Sequence, residues 1–371
     1  MTPIEHLEFF FDEVTKDLTV SSVADDEARQ KIEAICRCLV NKAPIRFVMA
    51  CLLAKLDRPS VDIRKPYTEI SGEDTFSGRH YDEAFLESFV AKHKLPCNST
   101  TAFLTPAFRN IDRLLSPDFV FVGRPKEVYE NALFILDLVH RNQITSANLL
   151  KEFLRILILI KAESEGRMQQ LLSDLKPSSD NAALSSEQTL TLLQQHLACK
   201  NSSRLPVSMV AAAYQAVGQH LGETTKPLHA HNAADKQTGS IGDVEVILTN
   251  DESVVTCYEM KDKRVTINDV NHALAKIAAA TTRIDNYIFI KTDVIERKVV
   301  TYAQTLYDQA GIEVVVLDCL DFICHYLHFF HRHRSGFLDS YQQLVLNEPN
   351  SSVGQPLKEA FLVLRKTAES N

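Results

Sequence analysis

No long apolar run, no paired-cysteine motif and no phosphate-cradling loop occurs in this 371-residue sequence. The longest aliphatic run, LRILILI at 154–160, is bounded by charge and falls far short of the ~20 apolar residues a membrane helix needs. The chain does not open on a basic, apolar, small-residue leader. MTPIEHLEFFFDEVTKDL has the pattern of an amphipathic helix, so the expected location is the cytoplasm, with no membrane partner. The eight cysteines, Cys36, Cys38, Cys51, Cys97, Cys199, Cys257, Cys319 and Cys324, form no C-x-x-C pair. Neither a zinc site nor a disulfide framework is therefore expected. Cys36-Arg-Cys38 is open to reading as a metal clip, but free thiols buried on a helix are the commoner outcome. Neither GxxxxGK[ST] nor GxGxxG precedes a helix, which leaves nucleotide-driven motors and dinucleotide enzymes without support. No Ser-His-Asp arrangement stands out, and there is no internal repeat.

What is present is an ordinary globular composition, 45% hydrophobic and 24% charged, in a chain long enough for two domains. The net charge of −8 argues against a non-specific nucleic-acid binder. It leaves room for a local positive cleft. Residues 1–60 carry apolar positions three and four apart, with a break at Pro44. Helical patterning returns at DEAFLESFVAKH and continues to Lys176; Pro177–Ser186 is small, polar and linker-like. After Gly222 the texture changes. GDVEVIL, VVTCYEMK, NYIFIKT and IEVVVLD are β-branched runs of strand length, separated after the second by helical patterns. The fold class expected is α+β or α/β, with a helical region at 1–200 and a mixed sheet flanked by helices at 201–371. The first two strands should form an antiparallel hairpin closed at TNDES, and the later ones should be parallel.

Alternation along these strands puts Asp243 and Glu245 on one face of the first, and Glu259 and Lys261 on one face of the second. A hairpin would bring Asp243 alongside Glu259 and Lys261. Adjacent carboxylates repel unless a cation joins them, and an oxygen-rich site selects Mg²⁺. The Met260 backbone carbonyl is a candidate third ligand, and Lys261 is placed to position or deprotonate water. These parts suit phosphodiester hydrolysis; the bland alternative is a set of solvated strand residues.

Asp243, a strand-length spacer and Glu259-Met260-Lys261, with a helix before and a helix and strand after, resemble the PD-(D/E)XK nuclease superfamily. Gly242 stands where that pattern has proline, a departure expected to cost little. HNAADKQTGSIGDVEV, YEMKDKRVTINDV, SGRHYDEAFLESFV and LPCNSTTAFLTPAFRN are further similar to the SacI-type family of type II restriction endonucleases. The resemblance implies a restriction-endonuclease-like core and Mg²⁺-dependent cleavage of double-stranded DNA at a short specific site. It also implies a homodimer, and a cognate DNA methyltransferase that protects the site. In some members of the superfamily a Glu in the position of Glu223 binds metal.

Other residues are open to two readings. Lys263 and Arg264 grip phosphates or belong to a solvated turn. Glu245 supports the site or is exposed. His229, His231, Asp235, Lys236 and Gln237 contact DNA or form a connecting loop. Arg79, His80, Tyr81, Asn98, Arg109, Asn110 and Arg124 are candidate base readers, Arg124 being equally a helix-start feature. On HYLHFFHRHR, Leu320, Ile323, Leu327 and Phe330 form a core stripe, leaving its histidines on the surface. Rival functions are a repair or modification-dependent endonuclease, a DNA-binding module with a decayed nuclease core, and a helical scaffold.

Overall fold

A computed structural model describes residues 1–98, 100–175, 183–228, 240–261 and 264–370. The chain divides into two compact units, Met1–Gly166 and Arg167–Asn371.

The first unit is helical. α1 (Pro3–Lys16) opens on a capping box, in which Thr2 accepts from the Glu5 amide and Glu5 accepts from the Thr2 amide. α2 (Asp26–Arg37) is capped by Asp25, and α3 (Ala43–Asp57) carries Pro44 in its first turn, where the missing N–H costs nothing. The break expected at Pro44 is thus a helix start. α3 is buried from Ala43 to Ala54, Arg46 included. Arg46 Nε donates to Asp82 Oδ1 at 2.7 Å and its Nη1 to the Asn98 carbonyl at 2.9 Å. Asp82 Oδ2 in turn accepts from Thr101 Oγ1 and the Ala102 amide. Removing one partner of such a buried pair typically costs about 3–5 kcal/mol. α4 (Gly78–Tyr81) runs through a π-helical turn at Asp82–Leu86 into α5 (Glu87–His93). α6 (Lys126–His140) and α7 (Ser146–Asp174) follow, and the division between units falls within α7. Of the linker-like stretch, residues 177–182 lie outside the described residues.

The second unit begins with the last turns of α7. It continues with α8 (Ser186–Leu197) and α9 (Leu205–Leu221), whose end is marked by Gly222 in the left-handed region at φ 71°. Then come β1 (Glu223–Thr225), β2 (Val244–Leu248), β3 (Asp251–Lys261), α10 (Ile267–Ala279), β4 (Arg283–Lys291), α11 (Arg297–Ala310) and β5 (Glu313–Asp318). Three helices close the chain, α12 (Cys319–Phe329), α13 (Arg334–Asn347) and α14 (Gln355–Ser370). Among the described residues the sheet has five strands in the order β1-β2-β3-β4-β5. β1, β2 and β3 are antiparallel; β3, β4 and β5 are parallel. The mixed sheet, the hairpin and the helical crossovers are those expected from the sequence. β1 was not expected, because three residues after a helix carry no periodicity. Ile323 and Leu327 of α12 are buried, as the stripe predicts.

Alternation gives the sheet two apolar faces. Val244, Val246, Tyr258, Ile288 and Ile290 pack with α8, α9 and the C-terminal helices. Ile247, Val255, Cys257, Tyr287 and Phe289 pack with α10 and α11. Burying one such side chain is worth about 1.5–3 kcal/mol, so a charged residue on either face needs a partner or a place at the sheet end.

Candidate active site

Asp243 immediately precedes β2. The register pairs Val244 with Tyr258 and Glu245 with Cys257, so Asp243 comes opposite Glu259. The Asp243 amide donates to the Tyr258 carbonyl at 2.8 Å, and its Oδ2 accepts from the Met260 amide at 2.7 Å. β3 runs on past this point, pairing Glu259, Met260 and Lys261 with β4 alone. On an extended strand a residue's N–H and C=O point the same way. The Met260 carbonyl therefore leaves β3 on the Asp243 side.

Glu259 is surrounded by donors. Its Oε1 lies 2.9 Å from Lys261 Nζ; its Oε2 accepts from Tyr287 Oη at 2.7 Å and lies 3.1 Å from Lys276 Nζ. Burial disfavours its charge, but the Tyr287 hydrogen bond and the two ammonium groups outweigh it and hold the carboxyl below its usual range. Asp243 is the opposite case. Although the residue is exposed, the chain around its carboxyl partly desolvates it, and with Glu259 opposite its pKa rises despite the Met260 bond. Lys261 also lies 3.6 Å from Asp269 Oδ1. Burial pulls its pKa down, yet Glu259 and Asp269 leave it above the ordinary lysine value, a charged donor at neutral pH. Among the described residues no donor meets Asp243 Oδ1. An open carboxylate oxygen of raised proton affinity, a second carboxylate opposite and a backbone carbonyl on the same edge are hard oxygen donors, the kind Mg²⁺ takes.

Position 242 is not the indifferent departure the sequence suggested. A β-carbon there would stand 2.7 Å from the Tyr258 carbonyl oxygen, so only glycine lets the segment before Asp243 lie this close to β3. Glu245 is buried rather than exposed, its Oε2 2.8 Å from Lys226 Nζ. Tyr287, Lys276 and Asp269 were missed. Tyr287 reads as one more aromatic in a buried strand and Lys276 as a helix-surface lysine. Asp269 does carry a local signal, as the fourth residue of a Thr266 capping box.

The structure does not bring Glu223 to this point. It pairs with Leu248, five positions along β2 from Asp243, about 16 Å at the usual rise per residue. Its neighbours are Tyr214 and Tyr258, whose hydroxyls are 2.7 Å apart. Arg264 is exposed and paired with Glu296 at 2.5 Å. His229, His231, Asp235, Lys236, Gln237 and Lys263 lie outside the described residues.

In the first unit, Arg79 and His80 are exposed, Arg79 pairing with Glu83 at 2.8 Å. Tyr81 is instead buried, its hydroxyl donating to Asp57 at 2.6 Å, which makes it a packing residue. Asn98 is half-buried and gives its carbonyl to Arg46. Arg109 and Asn110 are exposed, Asn110 in the left-handed region at φ 58°. Arg124 is exposed and stands one residue before the N-cap of α6, the helix-start alternative.

Residues 181–292 match the family model of the SacI restriction endonuclease C-terminal domain. That span is well under half of the chain, yet it holds Asp243, Glu259, Lys261, Lys276 and Tyr287. It supports a restriction endonuclease, a nuclease whose substrate is DNA. The N-terminal segments SGRHYDEAFLESFV and LPCNSTTAFLTPAFRN fall outside it. No curated protein matches the chain. No helix among the described residues is long and apolar enough to cross a membrane.

Proposed function

We propose that this protein is a type II restriction endonuclease of PD-(D/E)XK type. It would hydrolyse phosphodiester bonds of double-stranded DNA at a short specific site, acting as a homodimer beside a methyltransferase that protects the same site. The observation that carries this reading is the meeting of Asp243, Glu259 and Lys261 where β3 outruns β2, inside the matched span. Mg²⁺ would be held by Asp243, Glu259 and the Met260 carbonyl, and when bound it supplies charge at the phosphate and acidifies water. Asp243 offers an oxygen that no donor meets among the described residues. Glu259 is ionised throughout the neutral range, with Tyr287 and Lys276 holding one of its oxygens. Lys261, charged and flanked by Glu259 and Asp269, orients the attacking water and stabilises negative charge as it builds on the phosphate; its raised pKa favours this over a role as base. Exposed Arg79, His80, Arg109, Asn110 and Arg124 are the remaining candidates for contacts with bases in the first unit.

The test is digestion of unmethylated genomic DNA with Mg²⁺, wild type beside Lys261→Ala, with a chelator control. Discrete fragments from wild type alone are expected, and sequencing their ends gives the site. If neither protein cuts modified or unmodified DNA, the enzyme reading fails and a DNA-binding module takes its place.

A further inference from the structure

Asp243 is presented by an irregular segment, Ser240–Gly242, rather than by a strand ladder, so whatever fixes that segment fixes the carboxylate. The grip falls on Ile241. Its N–H donates to Glu245 Oε1 at 2.7 Å. Its carbonyl lies 3.2 Å from Tyr287 Oη and 3.5 Å from Lys276 Nζ. Both backbone groups of one loop residue are thus met by side chains from β2, β4 and α10. The same tyrosine and lysine reach Glu259 Oε2. A phenol has one proton to give, so Tyr287 serves Glu259 or Ile241 at any instant, with Glu259 the shorter contact. An ammonium has three and can serve both. The fully buried Tyr287 ring sets where this junction sits.

We propose that Tyr287, Lys276 and Glu245 are positioning residues that hold the Ile241 peptide and so fix Asp243 at its distance from Glu259. The assignment rests on the reading of those two carboxylates as the catalytic pair. The three act through the Asp243 loop and Glu259, and are given no contact with the phosphate.

The Met260 amide, bonded to Asp243 Oδ2, reports where that carboxylate sits. The protein has five methionines, so ¹⁵N-methionine labelling isolates Met260, and its hydrogen exchange is read without metal or DNA. Asp243→Ala sets the unprotected rate. Tyr287→Phe and Glu245→Leu should speed Met260 exchange roughly tenfold toward that rate, the effect of one lost hydrogen bond, while buried Met209 on α9 stays as slow as in wild type. Glu245→Gln keeps an acceptor for the Ile241 amide and should restore the slow rate.

The assignment falls if Tyr287→Phe and Glu245→Leu leave Met260 within about twofold of wild type while Asp243→Ala is fast. It falls equally if Met209 speeds up in parallel, because the three residues then serve only stability. It falls also if Asp243→Ala is itself slow, because the contact on which the grip acts is then absent. Missing Mg²⁺-dependent cleavage would overturn the nuclease reading instead and leave the exchange result standing.

Discussion

At position 242 a side chain has nowhere to go. The backbone there is not in the left-handed region; the constraint is space against the Tyr258 carbonyl. Gly242→Ala must push the loop off β3 and carry Asp243 with it. The expected outcome is a stability loss of about 1–3 kcal/mol by denaturant melt, with kcat for cleavage falling at least tenfold, by roughly 1.4 kcal/mol or more, and DNA affinity in Ca²⁺ retained. Unchanged kcat would show that Asp243 tolerates displacement. At this scale the sequence was legible only as far as alternation reaches. Asp243, Glu259 and Lys261 declare themselves because strand periodicity puts them on one face of a hairpin. Tyr287 and Lys276 meet Glu259 from 28 and 17 residues away. Those contacts depend on the parallel register of β4 and the rotation of α10, and no local pattern encodes either. Glu245 was placed on the right face, but its burial follows from Lys226 and the loop folding over it.

Among the elements, α8 is joined to the C-terminal helices through a buried histidine. Its buried His196 lies 2.9 Å, through Nδ1, from the Tyr341 hydroxyl of α13, and 3.0 Å, through Nε2, from the Leu357 carbonyl of α14. The carbonyl can only accept, so Nε2 carries the proton and Nδ1 accepts from Tyr341. This ties the helix to the end of the chain. Burial pushes His196 down to about 4, so the folded protein keeps it neutral while the unfolded chain takes up a proton. The stability it supports is full above the unfolded value of ~6.5 and is lost as pH falls from there toward 4, by about 3 kcal/mol. Thermal melts should show a fall in Tm across that window that is smaller in His196→Gln; equal slopes would refute it. Strands β2 to β5 were visible as β-branched runs. β1 was not, since its place on the sheet is set by its pairing with β2.

For the whole molecule, net charge and function pull in different directions. A chain of charge −8 must gather its cations locally if it is to hold DNA. The first unit exposes Arg79, Arg109 and Arg124 and the second exposes Arg264, of which Arg79 and Arg264 are already paired with Glu83 and Glu296. Binding to a DNA fragment in Ca²⁺ should weaken steeply with salt, the logarithmic slope falling by roughly 0.9 for each phosphate neutralised. A slope near zero in a fluorescence-anisotropy titration would remove DNA as the partner.

The strand order has its own consequence for how the molecule is made. Among the described residues every strand of the sheet lies beside its neighbours in the chain, and none of them has to thread between two that have already joined. The sheet can grow outward from its first hairpin as the ribosome delivers it. That hairpin brings Asp243 and Glu259 face to face while Lys276 and Tyr287 still lie downstream. In the nascent hairpin Lys261 alone of the three cation and phenol partners answers that repulsion, and the arrival of α10 and β4 adds Lys276 and Tyr287. The step that secures the sheet is also the one that completes the acidic cluster, so a chain halted before α10 would hold the two carboxylates without the lysine and tyrosine that meet Glu259.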